Sequence, residues 1–151
     1  MNKEQLIQAL QAIVSGLSNQ AEMHMFQGKI FEDQEFTKLA EKYTDHAAEE
    51  REFQRRFIQR IFDLGGEVSL EAREPISLYK DPIDFIKADY EISKEGLTGI
   101  KDLTSSAISD HTTYDLLKEY YADEEDDMLW SESQLELAEK IGKENWLYAQ
   151  L

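Results

Sequence analysis

The sequence predicts an all-α protein, a bundle of four long helices followed by a short helical tail. Three observations lead there. Apolar residues return at every third or fourth position through four long stretches. No stretch alternates apolar and polar residues as a half-buried strand would. The helix breakers gather near mid-chain, where Gly65, Gly66, Pro75 and Pro82 lie in one segment. At 151 residues, 41% apolar and 11% aromatic, the chain suits a single folded domain over residues 1–151.

In the first helix Leu6, Leu10, Ile13, Leu17, Ala21, His24, Gly28 and Phe31 form one stripe, and Asn2 with Gln5 has the spacing of a capping box. After "FEDQEF" a second stripe runs through Phe36, Leu39, Tyr43, Ala47, Glu50, Phe53, Phe57, Ile61 and Leu64. Asp81 as cap and Pro82 in the first turn open a third helix, with Ile86, Tyr90, Ser93, Leu97, Ile100, Thr104 and Ala107 on its inner face. "SDHTT" ends it. The fourth stripe passes through Leu117, Tyr121, Glu124, Asp127 or Met128, Ser131, Leu135, Ala138 and Ile141, and Gly142 stops it. The tail "KENWLYAQL" has room for one more small helix. Short links force two antiparallel hairpins, while the middle stretch of about 17 residues is long enough to travel the length of the bundle.

Charge narrows the partners. With 16 basic against 32 acidic residues the net charge is −16, which repels nucleic acid and anionic membrane surfaces and favours cations. The absence of cysteine excludes disulfides, thiolate zinc sites and thiol nucleophiles. No run reaches membrane-spanning length, and "MNKEQLIQALQAIV" has helical patterning in place of a signal peptide's apolar core, so a cytoplasmic location is expected.

The segment "ADEEDDMLW" places five acids, Asp123 to Asp127, directly before an apolar run. Helical periodicity sends Asp123, Glu125 and Asp126 toward solvent or the bundle edge but turns Glu124 and Asp127 inward, as it does Glu50 on the second helix. A buried carboxylate costs several kcal/mol unless it is protonated, hydrogen-bonded, paired or bound to a metal. Glu124 and Asp127, three residues apart on one helix face, are placed to share a cation.

The second helix, "EEREFQRRFIQRIFDLGG", and the fourth with its tail, "DEEDDMLWSESQLELAEKIGKENWLYAQL", resemble the corresponding segments of bacterioferritin, and the resemblance covers essentially the whole chain. It implies a ferritin-like fold, iron as the metal, self-association as a dimer and a larger cage, and a partnership with an active ferritin-like subunit. That family holds two irons with one Glu from the first helix, Glu-x-x-His from the second, one Glu from the third and Glu-x-x-His from the fourth. The matching positions here are Leu17, Glu50 with Phe53, Ser93, and Glu124 with Asp127. A di-iron centre of that type, with its fast ferroxidase activity, is not expected, and haem is not expected either, because Arg51 stands where the family's axial methionine would be.

His24, Glu50, Glu124 and Asp127 are therefore the candidate ligands of a single metal ion, with one nitrogen and three oxygens suited to iron, manganese or zinc. The competing reading is that His24 simply hydrogen-bonds the remaining carboxylates, with Ser93 as a further donor. His46, one turn before Glu50, has the spacing to grip a metal with it near the bundle margin, although a surface histidine beside an acid is the commoner arrangement and the one expected here. Asp45 and Glu49 match positions facing the cage interior in the family; His111 is assigned no role. Arg51, Arg55 and Arg56 form a basic patch that fits either a charged dimer contact or a solvated face paired with nearby acids. Three functions remain open: an iron-storage cage subunit with a decayed ferroxidase centre, a ferritin-like structural or binding protein, and a mononuclear enzyme.

Overall fold

The computed structural model describes residues 1–151 and contains helices α1 (Lys3–Asp33), α2 (Thr37–Asp63), α3 (Pro82–Ser106), α4 (His111–Ile141) and α5 (Lys143–Tyr148). The expected fold class is the observed one. Asn2 caps α1 through a complete capping box with Gln5, and the Asp81 carboxylate accepts from the amides of Ile83 and Asp84 at the start of α3, beside Pro82. Asp110 caps α4 by accepting from Thr113 N–H.

α1 ends in a Schellman turn. Glu35 takes the left-handed conformation at φ 68°, Phe36 N–H donates to Phe31 O, and Glu35 N–H donates to Glu32 O. α2 ends in the same way, with Gly65 at φ 81° and Gly66 N–H donating to Ile61 O. At Gly28 the two helices pack closely, and an added Cβ would sit 3.1 Å from Thr44 Oγ1.

The crossover lies against α1 and runs in the same direction. Gln11 exchanges hydrogen bonds with the backbone of Ser69, Ser15 donates to Glu71, and Arg73 donates to Ser18 O and Glu22. Farther along, Gln27, fully buried, exchanges bonds with both backbone groups of Tyr79, and Gln34 donates to Lys80 O. From Gln11 to Gln34 the helix rises about 35 Å. From Ser69 to Lys80 an extended chain covers about 36 Å, so the crossover is stretched nearly taut along α1. It delivers α3 to the same end of the bundle as the α1–α2 turn, where α2 also begins.

Three details depart from the stripes. On α3 the inner face carries Phe85, Ile86 and Asp89, so Asp89 is buried and Tyr90 lies at the edge, its hydroxyl donating to Glu132. On α4 it is Tyr120 that is buried, and Tyr121 that is partly exposed. On α2 His46 is buried at 4% exposure; the expectation of a surface histidine is overturned, because α4 closes over that face. α5 folds back after Gly142 and seals Trp146 completely into the end of the core.

Candidate metal centre

Midway along the bundle the apolar core is interrupted by a layer of titratable side chains: His24 from α1, His46 and Glu50 from α2, Asp89 from α3, and Glu124 and Asp127 from α4. The helical period brings them together, since His24 continues the Leu17–Ala21 stripe, Glu50 follows His46 by one turn, and Asp127 follows Glu124 in the same way. Leu17 and Phe53, both buried and apolar, flank this layer on the α1 and α2 side.

His24 is held at both ring nitrogens. Nδ1 lies 2.6 Å from Glu50 Oε1 and Nε2 lies 2.9 Å from Asp89 Oδ1, with all three side chains buried. Neither oxygen carries a proton when ionised, so the ring donates from both sides and is an imidazolium. Burial pulls its pKa down, but the Asp89 and Glu50 carboxylates outweigh that and hold it well above the ordinary value. His46 stacks on it with centroids 4.2 Å apart. Burial, and then the neighbouring His24 charge, lower His46 to about 4, so the second ring is neutral at pH 7.

Each of the remaining groups on α2 and α4 keeps one unsatisfied atom, although Asp127 Oδ1 accepts from Lys42 Nζ at 3.3 Å. His46 Nε2 lies 3.1 Å from Asp127 Oδ2 and 3.6 Å from Glu50 Oε1, off the line of a hydrogen bond. His46 Nε2, Glu124 Oε1 and Asp127 Oδ2 are sealed from solvent and have no hydrogen-bond partner. Burial and the charges of Glu50 and Asp127 push Glu124 well above the usual carboxylate range, and burial also raises Asp127. Orphaned buried polar atoms of this kind are costly. Ligand atoms of His46, Glu124 and Asp127 lie within 4.8 Å of one another, and so do those of His24, His46 and Glu50. A single cation with one imidazole and two carboxylates fits the first group. A cavity of about 250 Å³ between α1 and α3, lined by Asn19, Ser93 and Gly96, leads to His24, His46 and Glu124.

The four residues singled out from the sequence, His24, Glu50, Glu124 and Asp127, fall in this one layer but in two separate groups, His24 and Glu50 with His46, and Glu124 and Asp127 with His46. Two of them are bonded directly to each other. Sequence reasoning missed Asp89 and misplaced His46. A signal for Asp89 existed: it lies three residues after Ile86 as Tyr90 lies four after it, so either fitted the stripe. Ser93 lines the cavity beside Glu124. The basic patch is paired within the chain, Arg51 with Glu22 and Gln54, Arg55 with Glu52, and Arg56 with Glu119.

A four-helix bundle with one long crossover and a central layer of inward carboxylates and histidines defines a helical metal-binding fold. The ferritin-like domain model matches residues 7–141, and the chain belongs to that family. It is 31% identical over 151 residues to a bacterial ferritin of Neisseria meningitidis serogroup B (strain MC58), covering 97% of this chain and 96% of the relative. A bacterial ferritin of Synechocystis is 26% identical over 152 residues, covering 99% and 97%. A bacterioferritin of Brucella melitensis is 28% identical over 133 residues, covering 87% and 81%.

Proposed function

We propose that this chain is an iron-storage subunit of the ferritin-like family in which the paired-metal oxidation centre has been replaced by a fixed internal cation and one remaining metal position. The observation that supports this most strongly is the His24 imidazolium between Glu50 and Asp89. It pairs two inward carboxylates with a single proton-bearing ring, in a layer where Leu17 and Phe53 offer no ligand. His46, Glu124 and Asp127 are left to receive one ion of iron, manganese or zinc. Iron is the cargo, attracted by the −16 charge. Haem has no place in this reading, since a guanidinium at Arg51 cannot ligate its iron. Self-association into a dimer and a larger cage in the cytoplasm, with or without a catalytically active ferritin-like subunit, accords with the family.

Aerobic addition of Fe(II) to the purified protein tests this. The expected result is iron retained well above that held by an unrelated acidic protein, taken up without a fast oxidation phase. Retention equal to the control would leave a non-catalytic structural or binding protein, a reading favoured by the fact that the His24 pairings are complete without any metal. A fast oxidation phase would refute the loss of the paired centre. Co(II) absorption should report one nitrogen-containing site per chain, abolished by His46→Ala.

A further inference from the structure

Between α3 and α4, near the turn that joins them, lies a groove of about 320 Å³ that shares no residue with the metal centre. Lys101, Thr104, Ser105 and Ile108 recur along α3 and into the turn at steps of three and four, and so make up one continuous edge. Tyr114, Lys118 and Tyr121 form the facing edge of α4 in the same way. The walls are largely apolar. Thr104 Oγ1 donates to Ile100 O at 2.6 Å and Ser105 Oγ donates to Lys101 O at 3.1 Å, so both hydroxyl protons are spent on their own helix. Ile108 is 59% exposed, and Tyr114 and Tyr121 keep part of their surface uncovered. Charge comes from two ammonium groups. Lys118 Nζ lies 4.9 Å from the centre of the Tyr114 ring and 3.5 Å from Asp115 Oδ1. Lys94, two turns earlier on α3, pairs with Glu91, but Lys101 pairs with no carboxylate.

We propose that this groove binds a small aromatic carboxylate, with the ring against Tyr114, Tyr121 and Ile108 and the carboxylate between Lys101 and Lys118. The volume is at the lower end of the range for ligand pockets and suits a single ring. Exposed aromatic faces and an exposed isoleucine favour a flat apolar body, which can stack offset or edge-on against tyrosine. The two ammonium groups set its charge. One of them has no counter-ion in the protein, although acids outnumber bases two to one along the chain. At physiological salt the field of the distant acids is screened over about 8 Å, so the lysines at the groove decide which ligand enters. A neutral ring would leave the ammonium groups without a partner, and an aliphatic acid would leave the ring faces wet; an aromatic acid answers both.

Isothermal titration calorimetry of the chelator-treated protein with benzoate is the test, with benzyl alcohol and acetate as the ring alone and the charge alone. Benzoate is expected to saturate one site per chain and to bind at least tenfold tighter than either. Lys101→Gln with Lys118→Gln should weaken benzoate at least tenfold and leave benzyl alcohol within twofold, whereas Ile108→Ser should weaken both at least threefold. His46→Ala should leave benzoate affinity within twofold, which keeps this site separate from the metal centre. Amide shifts on titration should be confined to the α3–α4 edges that line the groove. Absence of saturable binding, acetate binding as tightly as benzoate, affinity indifferent to the paired lysine substitutions, or shifts mapping elsewhere would each overturn the proposal. Lys101, Lys118 and Ile108 are exposed, so their variants should fold, and thermal melts verify it.

Discussion

His24 is a cation made by its surroundings. Its two carboxylate partners come from different helices, so the ring ties α1 to both α2 and α3 through charge-assisted bonds. Breaking such a buried arrangement by removing one partner leaves the others uncompensated, at a cost of about 3–5 kcal/mol. His24→Leu should therefore lower stability by about that amount, measured by urea unfolding, although leucine matches the ring in size. The neighbouring titrations predict the pH dependence. His46 has a folded value of about 4 against an unfolded value of about 6.5, so its contribution is complete above 6.5 and is lost as pH falls toward 4. Asp123, raised to about 6, acts in the opposite sense: the folded state keeps its proton longer, so stability falls as pH rises from about 4 to about 6. In chelator-treated protein, Asp123→Asn should make stability rise more steeply between pH 4.5 and 6, and His46→Gln should make it rise less steeply or fall. Slopes that change together in one direction would contradict these assignments.

At the scale of elements, caps and turns carry testable weight. Glu35 adopts a left-handed backbone that costs a non-glycine residue about 1–2 kcal/mol, partly offset by the extra freedom glycine has when unfolded. Glu35→Gly should raise stability by about 0.5–1 kcal/mol, a melting point higher by a few degrees. The crossover depends on Gln27, whose buried amide satisfies both the N–H and the C=O of Tyr79. Gln27→Leu leaves those two backbone groups without partners and should cost about 2–4 kcal/mol, with faster hydrogen exchange confined to the crossover. Most of this architecture was legible in the sequence. Asn2, Asp81 and Gly142 mark helix ends by local chemistry, and the α1 and α2 stripes name most of the buried residues because each helix turns one continuous face to the bundle interior. The inner position of His46 and the burial of Asp89 were not legible. His46 lies one residue before Ala47 on the stripe, and whether it is covered depends on how closely α4 approaches α2. On α3 the same ambiguity let Tyr90 stand where Asp89 proved to be, since the period of 3.6 permits a step of three or four. The candidate site was recognised as a place, through Glu50, Glu124 and Asp127, and only the packing decided which groups bond to each other.

The whole molecule has a core in two parts. On one side of the polar layer, Leu6, Leu10, Phe57, Ile61 and Leu117 are among 12 buried apolar residues; on the other, Phe31, Leu39, Tyr43, Phe85 and Trp146 are among 9. Nothing in the folding of a four-helix bundle requires this interruption, because the flanking clusters follow the same stripes and an apolar layer would join them. Burying such a layer costs stability relative to an apolar one, which is what a functional site built into a scaffold would impose. That argument predicts a reversal between single and combined substitutions. His24→Leu alone strands Glu50 and Asp89, whereas His24→Leu, Glu50→Leu and Asp89→Val together remove the buried charges as a unit and replace them with apolar volume. Replacing a buried ionic triad in this way is often neutral or stabilising by about 1–4 kcal/mol. The triple variant should therefore match or exceed the wild type in urea unfolding while His24→Leu falls well below it. If the triple variant were less stable than His24→Leu, the layer would be contributing to stability through packing alone, and the case for reading it as a functional centre would lose its energetic support.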